Sequence, residues 1–240
     1  MPMVNSTDKK LVSGLVSGLI VSCQAPADSP LYEPKIIAAI AHAAILRGAS
    51  GVRIDTPAHV SAVREELQKN FETPYPIIGL WKQTLPDYEV YITPRFADAE
   101  AIAAAGADII AIDATERKRP PGESLASLIQ RIHNDLGKMV MADVDTIAAA
   151  IAAEKAGADM VGTTLYGYTA ATKNFSPPGF DLLEAMVTTL QVPVICEGGI
   201  SAPAMAKKAL EIGADAVVVG TDITGIDLKV QAYQGAIARG

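Results

Sequence analysis

One phrase recurs four times in this chain: a glycine, an alanine, then a short polar residue that opens an apolar run. The copies are Gly48-Ala49-Ser50, Gly106-Ala107-Asp108, Gly157-Ala158-Asp159 and Gly213-Ala214-Asp215, with their glycines 58, 51 and 56 residues apart. Each glycine reads as a helix stop, because a residue at positive φ closes the last turn and glycine takes that conformation without strain. The runs that follow, such as Ile109-Ile110-Ala111-Ile112 and Ala216-Val217-Val218-Val219, are unbroken apolar stretches of the kind a parallel strand buried on both faces requires. Half the spacing, roughly 26–29 residues, is one strand-plus-helix unit of a barrel whose eight units total about 250 residues. The 240-residue chain is therefore expected to form a (β/α)8 TIM barrel, one domain over residues 1–240, with a short N-terminal helix plugging its floor.

Composition narrows the partners. Half the residues are hydrophobic and 20% are charged, and no Pro/Ser-rich linker divides the chain. The net charge of −7, with no basic cluster, argues against nucleic acid as a partner. No stretch reaches the roughly 18 apolar residues of a membrane span, and residues 1–10 are too polar for a signal peptide. Cys23 and Cys196 make no disulfide framework, so a reduced, cytoplasmic enzyme is expected.

Strands are predicted at about 15–22, 51–54, 76–81, 108–113, 138–143, 159–164, 192–197 and 215–220. Their ends read Gln24, Arg53, Lys82, Asp113, Asp143, Thr163 with Thr164, Glu197 and Thr221. In a barrel those C-terminal ends are the active-site mouth. Asp55, Asp145 and Ser201 read instead as helix caps, each just ahead of a helix start. Lys82 at a narrow mouth is expected either to lose water and become a usable base or to snorkel to the rim. Glu197, beside it in the same mouth, is expected to pair with it, as a working couple or as a plain ion pair. Cys196 has the opposite strand parity and is expected to face the helices.

Gly198-Gly199 after the seventh strand and Gly220-Thr221 after the eighth form a second group. In such barrels these two loops commonly hold phosphate, since glycines let backbone N–H groups approach an anion. His42, His59 and His133 all fall in predicted helices, and no residue set has metal-ligand spacing, so no metal is expected. Lys, Arg and carboxylates at one mouth suit proton transfer next to a carbonyl, or Schiff-base chemistry on a sugar phosphate. The residues alone leave both open, together with a sugar-phosphate binder that is no enzyme.

The same residues carry a resemblance. Gly18-Leu19-Ile20-Val21-Ser22-Cys23-Gln24, Pro76-Ile77-Ile78-Gly79 with Lys82, Tyr91-Ile92-Thr93-Pro94, and Ala107 through Thr115 with Arg117, Arg119 and Pro120 stand in order. Met141-Ala142-Asp143, Gly162-Thr163-Thr164-Leu165 with Gly167-Tyr168-Thr169, and Glu197-Gly198 complete the set. This ordered series resembles the N-acetylmannosamine-6-phosphate 2-epimerases, also called N-acylglucosamine-6-phosphate 2-epimerases. The resemblance implies an isomerase that inverts C2 of an amino sugar phosphate in sialic acid catabolism. It implies no metal or organic cofactor, a cytoplasmic location and a homodimer. It puts Lys82 and Glu197 at the catalytic positions and Gln24, Arg53 and Asp143 at sugar contacts. Thr164 and Tyr168 are further expected contacts, with the phosphate on Gly198, Gly199, Gly220 and Thr221. Three departures stand out. Gln83 follows Lys82 where the family has arginine, and the larger Tyr166 is expected to crowd the mouth. Asp222-Ile223-Thr224-Gly225 stands where the family reads Ala-Ile-Thr-Arg, so an arginine is missing at Gly225 and its restoration is expected to lower KM.

Overall fold

The computed structural model describes Leu15 and residues 18–238. Eight parallel strands close into one barrel in sequence order. They are β1 Gly18–Cys23, β2 Gly51–Asp55, β3 Ile77–Leu80, β4 Ile109–Asp113, β5 Met139–Asp143, β6 Met160–Gly162, β7 Val194–Glu197 and β8 Ala216–Val219. The barrel shuts where β8 meets β1, with Gly18 opposite Ala216 and Val21 opposite Val219. Helices α1 Pro34–Leu46, α2 Pro57–Asn70, α3 Phe96–Ala104, α4 Leu125–Leu136, α5 Ile147–Ala156, α6 Phe180–Thr189 and α7 Pro203–Ile212 connect successive strands. A single-turn α8 Thr221–Thr224 and then α9 Ile226–Ile237 follow β8. Strand bounds differ from expectation by a few residues at most: β1 begins at Gly18 rather than 15, and β6 ends at Gly162 rather than 164. The expected N-terminal helix and polar start lie outside the described residues, apart from Leu15, which is buried in the barrel interior.

Strand alternation divides the core in two. Ile20, Ile78, Leu80, Ile109, Met141, Ile195 and Val218 point inward and fill the barrel. Their neighbours, including Val52, Ile54, Ile77, Ile110, Val140 and Cys196, point outward under the helices. Cys196 thus faces the helices, buried and free, its thiol pushed up to about 11 mainly by burial.

The recurring phrase has a physical role at the floor. Gly48, Gly106, Gly157 and Gly213 stop their helices at φ of 97°, 104°, 103° and 116°. The next polar residue ties its strand to the one before. Asp108 accepts the Ile77 N–H at 2.9 Å, Asp159 the Val140 N–H at 2.7 Å, and Asp215 the Val194 N–H at 2.8 Å. Ser50 makes the corresponding link by donating to the Leu19 carbonyl at 3.1 Å. The phrase therefore clamps β1 to β2, β3 to β4, β5 to β6 and β7 to β8, which explains its two-unit spacing.

Gly79 on β3 faces outward where α3 presses closest: a Cβ there would stand 2.5 Å from Ile102 Cγ2 and 2.7 Å from the Ala107 Cβ. Forcing one extra carbon into such a core typically costs about 1–3 kcal/mol. Gly79→Ala should lower the urea midpoint accordingly, and an unchanged midpoint would mean that α3 yields at no cost.

Candidate active site

Inward parity at the C-terminal strand ends selects a small set of polar side chains. Ser22 and Gln24 continue the inward face of β1, Arg53 and Asp55 that of β2, and Lys82 that of β3. Asp143 ends β5, Thr164 follows β6, and Glu197 ends β7. A cavity of about 480 Å³ opens over them, within the usual range for small-molecule sites.

Arg53 is the centre of the mouth, with only 2% of its surface exposed. Asp143 takes it in two parallel bonds, Nη1 to Oδ1 at 3.1 Å and Nη2 to Oδ2 at 2.6 Å. Nη1 also lies 3.0 Å from Glu197 Oε2. Burial alone would lower the guanidinium's pKa, but Asp143 and then Glu197 and Asp55 more than offset it and push it above the ordinary arginine value. The Thr164 hydroxyl completes the bridge, 2.6 Å from Asp143 Oδ1 and 3.2 Å from Glu197 Oε2. Arg53 Nε remains without a hydrogen-bond partner.

Two carboxylates share that one buried cation, and the second is under strain to hold its charge. Burial raises Glu197 from 4.5 to about 7, against the pull of Arg53; Asp143 adds to the rise, while the Thr164 bond and Lys82 oppose it. Glu197 is thus poised to gain or lose a proton near neutrality, as acid–base groups require.

Lys82 takes the rim position and not the expected partner. Its ammonium lies 2.5 Å from Gln24 Oε1 and 3.8 Å from Asp55 Oδ2, so its partners are on β1 and β2 and the expected pairing with Glu197 is not formed. The side chain is 47% exposed, so protein atoms alone do not strip its water. Its backbone is fixed by an antiparallel bridge to Ile92 and by the bond from its N–H to Asp55 Oδ1 at 3.1 Å. Gln24 in turn donates to the Ser22 hydroxyl at 2.9 Å.

Several expected roles change. Asp55 is no cap: Thr56 caps α2, accepting from the His59 N–H, while Asp55 holds Lys82. Asp145 is buried and accepts from Thr169 at 2.5 Å, leaving Thr146 to cap α5. Ser201 does not cap α7, whose N-cap is Ala202. Asp113 is fully buried under Tyr91, Thr115 and Arg117, and anchors the loop after β4. Asp143, fully buried too, meets the cavity only through Arg53 and Thr164. Tyr166 does not crowd the mouth; it stacks on Phe175 at 5.7 Å against the outer core.

The rest of the mouth gathers as expected. Tyr168, Gly198, Gly199, Gly220 and Thr221 line the cavity with Gln24, Arg53, Lys82, Thr164 and Glu197. Gly199, at φ 70°, has no room for a side chain, since a Cβ would meet the Pro177 backbone at 2.7 Å. Ser22, Asp55 and Lys229 are the residues that sequence reasoning passed over. Strand parity could have found the first two, at two residues before Gln24 and two after Arg53. Nothing local in the sequence marks Lys229. Among the described residues, no group of three or more His, Cys, Asp or Glu could hold a metal ion, and no helix is long and apolar enough to cross a membrane.

The model of the family described as "Putative N-acetylmannosamine-6-phosphate epimerase" matches residues 37–239. The chain belongs to this epimerase family. Curated relatives named "Putative N-acetylmannosamine-6-phosphate 2-epimerase" include one from Thermosynechococcus vestitus, 64% identical over 227 residues, which spans 95% of this chain and 96% of that protein. Another, from Synechococcus elongatus, is 63% identical over 224 residues, 93% of this chain and 94% of the relative. The solved N-acetylmannosamine-6-phosphate 2-epimerase of Clostridium perfringens superposes with a TM-score of 0.87 at 38% identity, covering 94% of this chain and 95% of its own. Family membership decides among the three readings that the residues alone left open, in favour of an isomerase.

The Glu197 shift gives this epimerase a pH signature. A carboxyl raised on folding adds stability below its unfolded pKa and loses it as pH rises through the folded value, here between 4.5 and about 7. Glutamine has no such titration. The melting temperature of Glu197→Gln relative to the parent should therefore rise from pH 5 to pH 8; a flat or falling difference would show that Glu197 ionises freely.

Proposed function

We propose that this protein interconverts N-acetylmannosamine 6-phosphate and N-acetylglucosamine 6-phosphate, a step in the catabolism of sialic acid, through proton transfer at C2. The observation that carries the mechanism is the division of labour at the mouth. Glu197 is held by Arg53 and Thr164, Lys82 by Gln24 and Asp55, and both line one cavity without neutralising each other.

The chemistry follows from the acidity of the C2 hydrogen, which exists only beside a C1 aldehyde. The pyranose must open first. Glu197, balanced between its two protonation states near neutral pH, passes a proton between O1 and the ring oxygen. Lys82, as the free amine, then takes the C2 proton, and inversion is completed when the opposite face of C2 is reprotonated, either by Glu197 as a second acid or by the Lys82 ammonium after the intermediate rotates. Negative charge develops on the enediolate oxygen, and the fixed Arg53 guanidinium stabilises it without reorganising, because Asp143 already holds it in place. Tyr91 is kept protonated by burial and by Asp113 and Asp143, so its phenol is a further donor at the cavity wall. Gly198, Gly199, Gly220 and Thr221 take the phosphate, a reading supported by their common position on the cavity wall. No cofactor enters this scheme. The reaction belongs in the cytoplasm, in keeping with two free, buried thiols.

Incubation with N-acetylmannosamine 6-phosphate in D₂O, followed by NMR, tests the assignment: the gluco isomer should appear with deuterium at C2. Lys82→Ala should abolish that exchange in a folded protein, and Lys82→Arg should fail as well, since a guanidinium does not deprotonate near neutral pH. Fragmentation of the sugar, or a borohydride-trapped adduct on Lys82, would make the protein a Schiff-base lyase instead.

The active unit is a homodimer. Supporting this, α9 carries exposed Ile226, Val230, Tyr233 and Ile237 along one face, and none of its residues is buried against the chain. Such an apolar face on one helix is a common mark of an interface. Tyr233→Glu should shift the mass in light scattering toward the monomer; an unchanged dimer would exclude this helix from the contact.

A further inference from the structure

The glycine-lined end of the cavity lacks the arginine expected at position 225, and the fold gives a steric reason. Gly225 joins α8 to α9 in a tight corner, where a Cβ would stand 2.8 Å from the Thr221 carbonyl oxygen and 2.9 Å from its Cα. Those neighbours are backbone and cannot swing aside. An arginine at 225 would force the corner open, so the expected gain from Gly225→Arg is withdrawn.

A different cation faces that end. Lys229 lies in the first turn of α9, where its N–H bonds the Gly225 carbonyl at 2.9 Å. Its side chain lines the same cavity as Gly199, Gly220, Thr221 and Asp222. The other two cations on the cavity wall, Arg53 and Lys82, are committed at the strand ends. Asp222 on α8 holds the Lys229 ammonium in a salt bridge across the Gly225 corner. An ammonium has three donors and the bridge uses one, so Lys229 retains donors for an anion. Asp222 thereby orients the cation.

We infer that Lys229 is the residue of this chain that binds the substrate's phosphate, held for that purpose by Asp222. The inference rests on the proposal that the substrate is a 6-phosphate sugar. Asp222 cancels part of the charge and the Lys229 side chain is 41% exposed, so the effect lies at the low end for a charged hydrogen bond, about tenfold in affinity.

Two measurements on the full chain separate this inference from the substrate assignment. In steady-state kinetics, Lys229→Met should raise KM for N-acetylmannosamine 6-phosphate about tenfold with kcat nearly kept, and Lys229→Arg should restore it. Independently of turnover, inorganic phosphate should raise the melting temperature of the parent, because a ligand bound only to the folded state stabilises it. That rise should shrink in Lys229→Met and return in Lys229→Arg. Failure of the parent to turn over the 6-phosphate would sink the substrate assignment, while the phosphate-induced shift would still report on Lys229. If Lys229→Met leaves both KM and the phosphate-induced shift unchanged, Lys229 does not bind the anion and the inference is wrong.

Discussion

A guanidinium buried inside a barrel needs its charge balanced, and most of the mouth is arranged around doing so for Arg53. One carboxylate in bidentate contact nearly suffices, and Asp143 supplies it from three strands away. The second carboxylate, Glu197, is then surplus to the charge balance. Its proton affinity rises chiefly because burial penalises its charge, with the Asp143 carboxylate adding to the rise against the pull of Arg53. Removing one partner of such a buried pair commonly costs about 3–5 kcal/mol, so Asp143 serves the fold and the chemistry together. Thr164 connects the two carboxylates, and that gives a hydroxyl just beyond β6 a structural reason to be there.

The opposite end of the barrel is organised by a separate interaction, the Asp or Ser clamps between strand pairs. They lie one strand length from the mouth and bond backbone N–H or C=O groups of the preceding strand, with Arg64 also pairing Asp108 and His133 also pairing Asp159. Stability devices thus sit at the floor and reactive groups at the rim, the division usual for this fold. His133, which sequence alone could only place in a helix, finds its role here as a floor residue.

How much of this was legible in the sequence depends on how local the cause is. A helix stop needs a glycine at one position, so Gly48, Gly106, Gly157 and Gly213 could be read directly, and the strand register followed. Strand parity then picked out Gln24, Arg53, Lys82, Asp143 and Glu197. Parity would also have placed Asp55 inward, but its neighbours Thr56 and Pro57 resemble a helix start, and it was read as a cap. Pairings were less legible than positions. Lys82 was matched to Glu197 because both end strands at one mouth, whereas the closure of the barrel puts Gln24 and Asp55 nearer. Tyr166 was misjudged for a similar reason: its side chain turns outward against Phe175 in a loop whose path depends on Pro177 and Gly179. Lys229 was invisible because only the fold-back of α9 across the Gly225 corner brings it to the cavity.

Separating Lys82 from Glu197 would also ease an electrostatic problem of the proposed reaction. Had Lys82 and Glu197 formed a direct ion pair, each would hold the other in its charged form, and neither could accept or donate a proton without breaking that pair. Held instead by Gln24 and Asp55, Lys82 can exchange a proton with C2 while Glu197 exchanges one with the sugar oxygens. When Lys82 takes the C2 proton, the new positive charge and the new enediolate appear together, beside an Arg53 that does not move. In a mouth of low effective dielectric, transfers that leave the total charge unchanged are the least costly ones. The barrel's strand order is what brings the two proposed proton carriers to one cavity while each is held by different partners.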